Sequence, residues 1–381
     1  MEKEIKEENN TKVINKLFLI GNGLDLSMGI KTSYKDFLRH YLIDSVFKLY
    51  SEGVSRGSQY RFYQDSLLSV GFNYKPIETR DEFETFIEKF DDYMEIVSWL
   101  KRNQLMHFSI DKSVLFKNII EKSINGWVDI EAVYYTLLKI CLFNNIKELQ
   151  KLNEDFQYLQ ERLEEYLLSI NNKNINYEDS RYIIHKFRDQ IIESDLSYEI
   201  QSRSITVKTY YFLNFNYTNY LKKILNNART FNDIKGEIEV NNIHGILESK
   251  DNPMVFGYGD ELDSDYKKIE ETGDKRAFEF IKSFKYSYNN NLKNLHRFID
   301  SEEFQVCVYG HSCGLSDRVM LNEIFEHENC KSIKVYFYEN ENGDNDYRSK
   351  VMDISRHFNS NQLMRRKVVP FNMQNKIPQI K

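Results

Sequence analysis

"KLFLIGNGLDLSMGIKTSYKDF", Lys16 to Phe37, contains an apolar run, Leu17 to Ile20, that halts at Gly21-Asn22-Gly23. A short continuous apolar run of this kind is what a strand buried on both faces requires. Two glycines at its carboxyl end let the backbone turn sharply and approach a phosphate, whose charge the N-terminus of the next helix favours. The dinucleotide fingerprint G-x-G-x-x-G is not met, because five residues separate Gly23 from Gly29. An ordinary dinucleotide-binding dehydrogenase is thereby disfavoured. The plain structural alternative is a tight turn with Asp25 capping a helix.

Five further runs share the character of the first and end in Gly, Asn or His. They are "KTYYFLNFNYT" (Lys208 to Thr218), "NNIHG" (Asn241 to Gly245), "PMVFGYG" (Pro253 to Gly259), "FQVCVYGHS" (Phe304 to Ser312) and "SIKVYFYEN" (Ser332 to Asn340). Together they predict a parallel sheet with helices on both faces, which binds ligands at the carboxyl ends of its strands where their order reverses. Between the first run and the others the pattern is helical. Ile146, Leu149, Leu152, Phe156, Leu159, Leu163 and Leu167 recur at steps of three and four, one apolar stripe on a helix. Arg80 to Asn103, Val128 to Phe143 and Tyr177 to Leu196 repeat the theme, with only four prolines in the whole chain. The expected architecture is a doubly wound α/β core at 16–40 and 205–381. A large helical insertion at 41–204 follows its first strand and helix, a charged tail at 1–15 precedes it, and the seam lies near Ser202 to Lys208.

With 381 residues, 41% hydrophobic and 14% aromatic, the chain is long enough for a large core or two to three domain-sized units. Lys and Arg number 52 against 58 Asp and Glu, a net charge of −6. Backbone-driven nucleic-acid binding is not favoured by that balance, although Met364 to Lys367 forms a short basic patch. Cys141, Cys307, Cys313 and Cys330 make no C-x-x-C pair, so neither a zinc site nor a disulfide framework is expected. No run approaches the ~20 apolar residues of a membrane helix. The expectation is a cytoplasmic protein with no membrane partner and no metal.

Three positions carry chemistry of their own. His244, followed by glycine at a strand end, can take or give a proton near neutral pH, or sit as a hydrogen-bonded turn histidine. Asn216 can orient a water or a sugar hydroxyl, and asparagine is also an ordinary turn residue. Gly310-His311-Ser312-Cys313-Gly314 satisfies the G-x-S-x-G nucleophile elbow, with Asp353 and His357 following as triad partners. Too few residues remain after Ser312 to supply the later strands and helices of an esterase, so that reading ranks low. A nuclease ranks low too, because Asp25, Glu131 and Asp317 are scattered in sequence.

Taken in order, a glycine-rich strand end, an asparagine, a His-Gly and a late Gly-x-Ser form a series that resembles the bacteriophage abortive infection AbiH family. The matching stretches are Leu19 to Phe37, "GWVDIE" (Gly126 to Glu131), "FNYT" (Phe215 to Thr218), "IHG" (Ile243 to Gly245), "VFGYGDE" (Val255 to Glu261) and "YGHSCGLSD" (Tyr309 to Asp317). More distantly the series is similar to the Rossmann-like, sirtuin-like fold of NAD-cleaving antiphage proteins. That resemblance implies NAD as substrate or ligand, with Gly21, Asn22 and Gly23 at the diphosphate. It implies Asn216 on the ribose or the attacking water, and His244 as acid/base. Gly310, His311 and Ser312 would lie on the adenosine side, with Asp317 bracing their turn. Asp25 adds a negative charge beside the expected diphosphate, and would bind a ribose hydroxyl or a metal, or exclude the dinucleotide. The zinc module of deacetylases is missing, so simple cleavage is expected rather than deacetylation. A nucleotide ligand, a phage-derived trigger or host partner, and self-association complete the expectations. The rival reading is a module that senses a nucleotide without chemistry.

Overall fold

The protein is described from a computed structural model over residues 11–51, 54–55, 61–72, 85, 89–90, 93–102, 106–122, 130–196, 198, 204–259 and 261–380. The charged residues 1–10, most of "GWVDIE", much of the stretch 80–103 and part of the seam near 202 lie outside the described residues. The chain divides into two compact units. One comprises Met1–Ile30, Asn171–Val255 and Ser283–Lys381, the other Lys31–Ile170 and Phe256–Lys282.

The first unit is built on a parallel sheet. In chain order its strands are β2 (Asn15–Ile20), β8 (Thr209–Asn214), β9 (Glu237–Asn242), β10 (Phe304–Tyr309) and β11 (Cys330–Tyr336). They lie side by side as β11-β10-β2-β8-β9, with every neighbouring pair parallel. The earliest strand is thus central, and strand order runs outward from it in both directions. β2, β8 and β10 are buried at every position, as their unbroken apolar runs require. Alternate residues serve opposite faces. Leu17, Leu19, Tyr211, Leu213, Val306 and Val308 share a core with Leu295, Phe298, Leu321, Ile324 and Phe325 from helices Asn291–Ser301 and Arg318–Glu326. On the other face Phe18 stacks on Phe212 at 4.9 Å and meets Phe187 of helix Tyr177–Phe187 edge-on at 5.0 Å. Each fully buried side chain of this size stabilises the fold by about 1.5–3 kcal/mol. Upstream, β1 (Thr11–Val13) pairs in parallel with β7 (Ser204–Thr206).

In the second unit the amphipathic stripe forms helix Leu149–Ile170, with Leu149, Leu152, Phe156, Leu159, Leu163 and Leu167 buried. Ile146 lies before that helix, in a 3-10 turn, and is exposed. Phe156 packs against Tyr134 at 4.1 Å, Phe256 at 4.8 Å and Phe280 at 4.9 Å. Lys282 Nζ meets Glu131 Oε2 at 2.9 Å, a buried ion pair whose carboxylate also accepts the Gly257 amide at 3.0 Å.

The block 41–204, expected to be mostly helical, also holds β3 (Val54–Ser55), β4 (Arg61–Gln64), β5 (Ser69–Phe72) and β6 (Met106–Ser109), an antiparallel sheet in the order β3-β4-β5-β6. One expected strand is corrected. "PMVFGYG" forms no strand beyond an isolated bridge from Tyr258 to Ile281. Pro253 lacks an N–H, and the Val255 and Gly257 amides donate to the His244 carbonyl and the Glu131 carboxylate instead of a sheet neighbour. Among the described residues no helix is long and apolar enough to cross a membrane.

Candidate functional site

The carboxyl ends of β2, β8, β9 and β10 bring the singled-out residues onto the loops of one unit. β2 ends at Ile20 and passes through Gly21 and Asn22 into a one-turn helix, Gly23–Ser27. β10 ends at Tyr309 and turns through Gly310, whose φ of +72° suits glycine. These two loops touch backbone to backbone. A Cβ on Gly21 would lie 2.4 Å from His311 Cα, and one on Gly23 would lie 2.6 Å from Gly310 Cα. The amides of Gly21, Gly23 and Leu24 donate to the carbonyls of Tyr309, Gly310 and Gly21. In this structure the glycines bring two loops together, and those three amides are spent within the protein.

Asp25 lies inside the short helix and does not cap it. Its carboxylate accepts the Thr218 hydroxyl at 2.6 Å and the Asn216 amide at 3.3 Å. Burial pushes its pKa up to about 7, against the pull of these two hydrogen bonds. Asn216 also donates to the Gly21 carbonyl at 3.0 Å. Its own backbone is set by Asn214, whose Oδ1 accepts the Asn216 amide at 3.2 Å and whose Nδ2 donates to Asn242 Oδ1 at 2.8 Å, bridging β8 to β9.

His244 follows β9, and Gly245 takes φ +90° behind it. Its Nε2 lies 3.0 Å from Asp317 Oδ1. A carboxylate only accepts, so Nε2 donates this hydrogen bond. Asp317 thus reaches the histidine of another strand end. His311 Nε2 sits 3.8 Å from Asp317 Oδ2, while its Nδ1 accepts the Cys313 amide at 3.0 Å. Burial lowers the pKa of His311 to about 3, opposed by Asp317. Phe215 joins the two imidazoles, its ring 4.9 Å from that of His244 and 4.1 Å from that of His311. Tyr217 and Tyr286 lie near-parallel to the His244 ring at 6.2 and 6.4 Å.

The nucleophile elbow has a different arrangement. Ser312 is exposed, His357 Nε2 donates to the Cys313 carbonyl at 2.8 Å, and Asp353 pairs with Arg356 at 3.2 Å. Both expected triad partners are thus engaged elsewhere. Burial pushes the adjacent Cys313 thiol up to about 12, which leaves it unreactive. Glu131 belongs to the other unit and is held there by Lys282. A surface hollow lined by Lys139, Ile140, Phe143, Asn144, Asp265 and Lys268 also belongs to that unit and contains none of the site residues.

Thr218, Phe215, Tyr217 and Tyr286 were not singled out as site residues. The first three lie in the quoted "FNYT" stretch, the one signal that pointed toward them. A family model described as Bacteriophage abortive infection AbiH matches residues 17–339, well over half of the chain. No curated protein and no solved structure matches it.

Proposed function

Because the chain belongs to the AbiH family, whose description is phage abortive infection, we propose that it acts in phage defence by cleaving the nicotinamide–ribose bond of NAD or a related nucleotide. The reading takes the strand order, with its central first strand, as Rossmann-like and sirtuin-like, and places the nucleotide at the carboxyl ends of the strands. The observation that carries it is the His244–Asp317 pair at 3.0 Å, beside strand ends that also present Asn216.

In such a cleavage the C–N bond to C1′ breaks and nicotinamide leaves as a neutral base with the bonding electrons. The ribose passes through an oxocarbenium-like state, as in glycoside hydrolysis. Water adds to C1′, and its proton passes to His244 Nδ1 while Asp317 stabilises the imidazolium that forms. Asn216 holds the ribose or the water. Because the amides of Gly21, Gly23 and Leu24 are already spent, the diphosphate is met by other groups, with Asn22, Gly310, His311 and Ser312 the candidates on the two loops. A phage-derived trigger or host partner accounts for cell survival before infection.

The test is nicotinamide release from NAD by the purified full chain, with and without lysate of infected cells. Release that is lost in His244→Ala is the expected result. An intact nicotinamide linkage under triggering, with His244→Ala as toxic as wild type, overturns it. The tight backbone contact of the Gly21 and Gly310 loops favours a second reading, a nucleotide sensor without chemistry. Tight binding of NAD with no turnover selects that one.

A further inference from the structure

A carboxamide has two donors on its nitrogen and one acceptor oxygen. Asn216 Nδ2 faces two oxygens, the Gly21 carbonyl at 3.0 Å and Asp25 Oδ1 at 3.3 Å. The Gly21 carbonyl can only accept, which turns the nitrogen toward it whatever the charge of Asp25, and an ionised Asp25 accepts as well. The amide is therefore fixed with its nitrogen inward, and Oδ1 is the end left to meet a ligand. Asp25 is itself held from behind, where the Thr218 hydroxyl donates to Oδ2 at 2.6 Å. It is 1% exposed, so its oxygens are committed to protein partners rather than to a bound molecule.

We infer that Asp25 is a positioning residue that turns Asn216 so that its carbonyl oxygen accepts a hydrogen bond from a ribose hydroxyl. The negative charge that looked out of place beside a diphosphate then has a role that involves no contact with it. Asp25 and Thr218 form a buried bracket behind the asparagine. The identity of the ligand rests on the nucleotide reading above; the orientation of Asn216 does not.

Three variants of the full chain test this: Asp25→Leu, branched at the same carbon but bulkier and with no acceptor, Asp25→Asn, which can turn its own oxygen toward Asn216, and Thr218→Val, which releases Oδ2. The first readout needs no ligand. It is the side-chain amide NMR signal of Asn216 in 15N-asparagine-labelled protein, assigned by its loss in Asn216→Asp. The second is the affinity for ADP-ribose. Asp25→Leu is expected to shift the Asn216 amide signals and weaken ADP-ribose about tenfold, as for a lost hydrogen bond of about 1.4 kcal/mol. Asp25→Asn keeps the amide signals and loses less affinity, and Thr218→Val falls between the two. An unchanged Asn216 amide in Asp25→Leu overturns the inference. So does an Asp25→Asn loss as large as that of Asp25→Leu, which marks direct use of the charge. If the amide signals move as expected while even the wild type fails to bind ADP-ribose, the positioning role stands and the nucleotide reading fails.

Discussion

The two ends of the parallel sheet are both polar and both buried, yet they differ in where their polar groups come from. At the amino end these groups belong to the strands themselves. Lys16 of β2 donates to the carbonyls of Phe187 and Asp189, and Gln305 of β10 donates to Asp195 at 3.2 Å and Ser332 at 3.0 Å. Asn15 Oδ1 accepts the Thr209 amide at 2.9 Å. Lys16 and Gln305 thereby fasten the end of helix Tyr177–Phe187 and the segment after it to the sheet. At the carboxyl end the groups lie mostly on loops, and they include two imidazoles sharing one carboxylate, with a second buried carboxylate behind Asn216. Buried polarity alone does not mark a site. What distinguishes the carboxyl end is imidazoles and carboxylates gathered from several strand ends, placed where an open parallel sheet binds its ligands.

Substitutions at the two ends should separate these roles. The largest effect is expected at His244. Replacing it with Ala removes the proposed base, and NAD cleavage per folded molecule should fall about 10²–10⁴-fold, beyond the about 1–3 kcal/mol of stability lost when the buried Asp317 is left without this partner; a fall no larger than the loss of folded protein would return His244 to a structural role. Lys16→Met at the amino end should do the opposite. It strands two buried carbonyls and costs about 1–3 kcal/mol in denaturant unfolding, with turnover of the folded fraction retained. Unchanged stability there would mean that the buried lysine, whose pKa burial lowers, gains nothing net from its carbonyl partners. Gly23→Ala places a methyl 2.6 Å from backbone at Gly310. Unfolding should then register a loss of about 1–3 kcal/mol, nearer the lower bound if the loops part, and wild-type stability would show that they separate freely.

The gentlest change is in pH. Burial raises the folded pKa of Asp25 to about 7, well above that of an ordinary carboxylate, so the native state binds an extra proton between the unfolded and folded values. Stability is full below the unfolded pKa and declines as pH rises through about 7, by at most about 1.4 kcal/mol per pH unit for this one group. Tyr220 is the other titratable group that senses Asp25, and it keeps its proton throughout this range because burial raises its pKa. Thermal midpoints from pH 5 to 8 should fall more steeply for wild type than for Asp25→Asn. Parallel slopes would show that Asp25 is already ionised at the lower pH.

Much of the sheet was legible because β2, β8, β10 and β11 are buried runs flanked by turn residues, a local signal. "PMVFGYG" carries the same local signal but fails, because a proline and the distant Glu131 carboxylate decide where its amides go. The small antiparallel sheet was missed, since "RFYQ", "SVGF" and "MHFS" are short and mix polar with apolar residues. In the candidate site the residue types could be read at strand ends, but their partners could not. Asp317 meets His244 from 73 positions away, and Thr218 meets Asp25 from 193. No spacing rule spans such distances, and only the order of the strands brings those pairs together.

The central claim is that the carboxyl-end loops, and not the buried polar set at the amino end, carry the antiphage activity. Its most direct test is intracellular NAD measured through phage infection in cells making wild type, His244→Ala or Lys16→Met at matched levels of folded protein. The account predicts that NAD collapses on infection with wild type and Lys16→Met, and is spared with His244→Ala. Equal NAD in all three, with protection retained by His244→Ala, would contradict it.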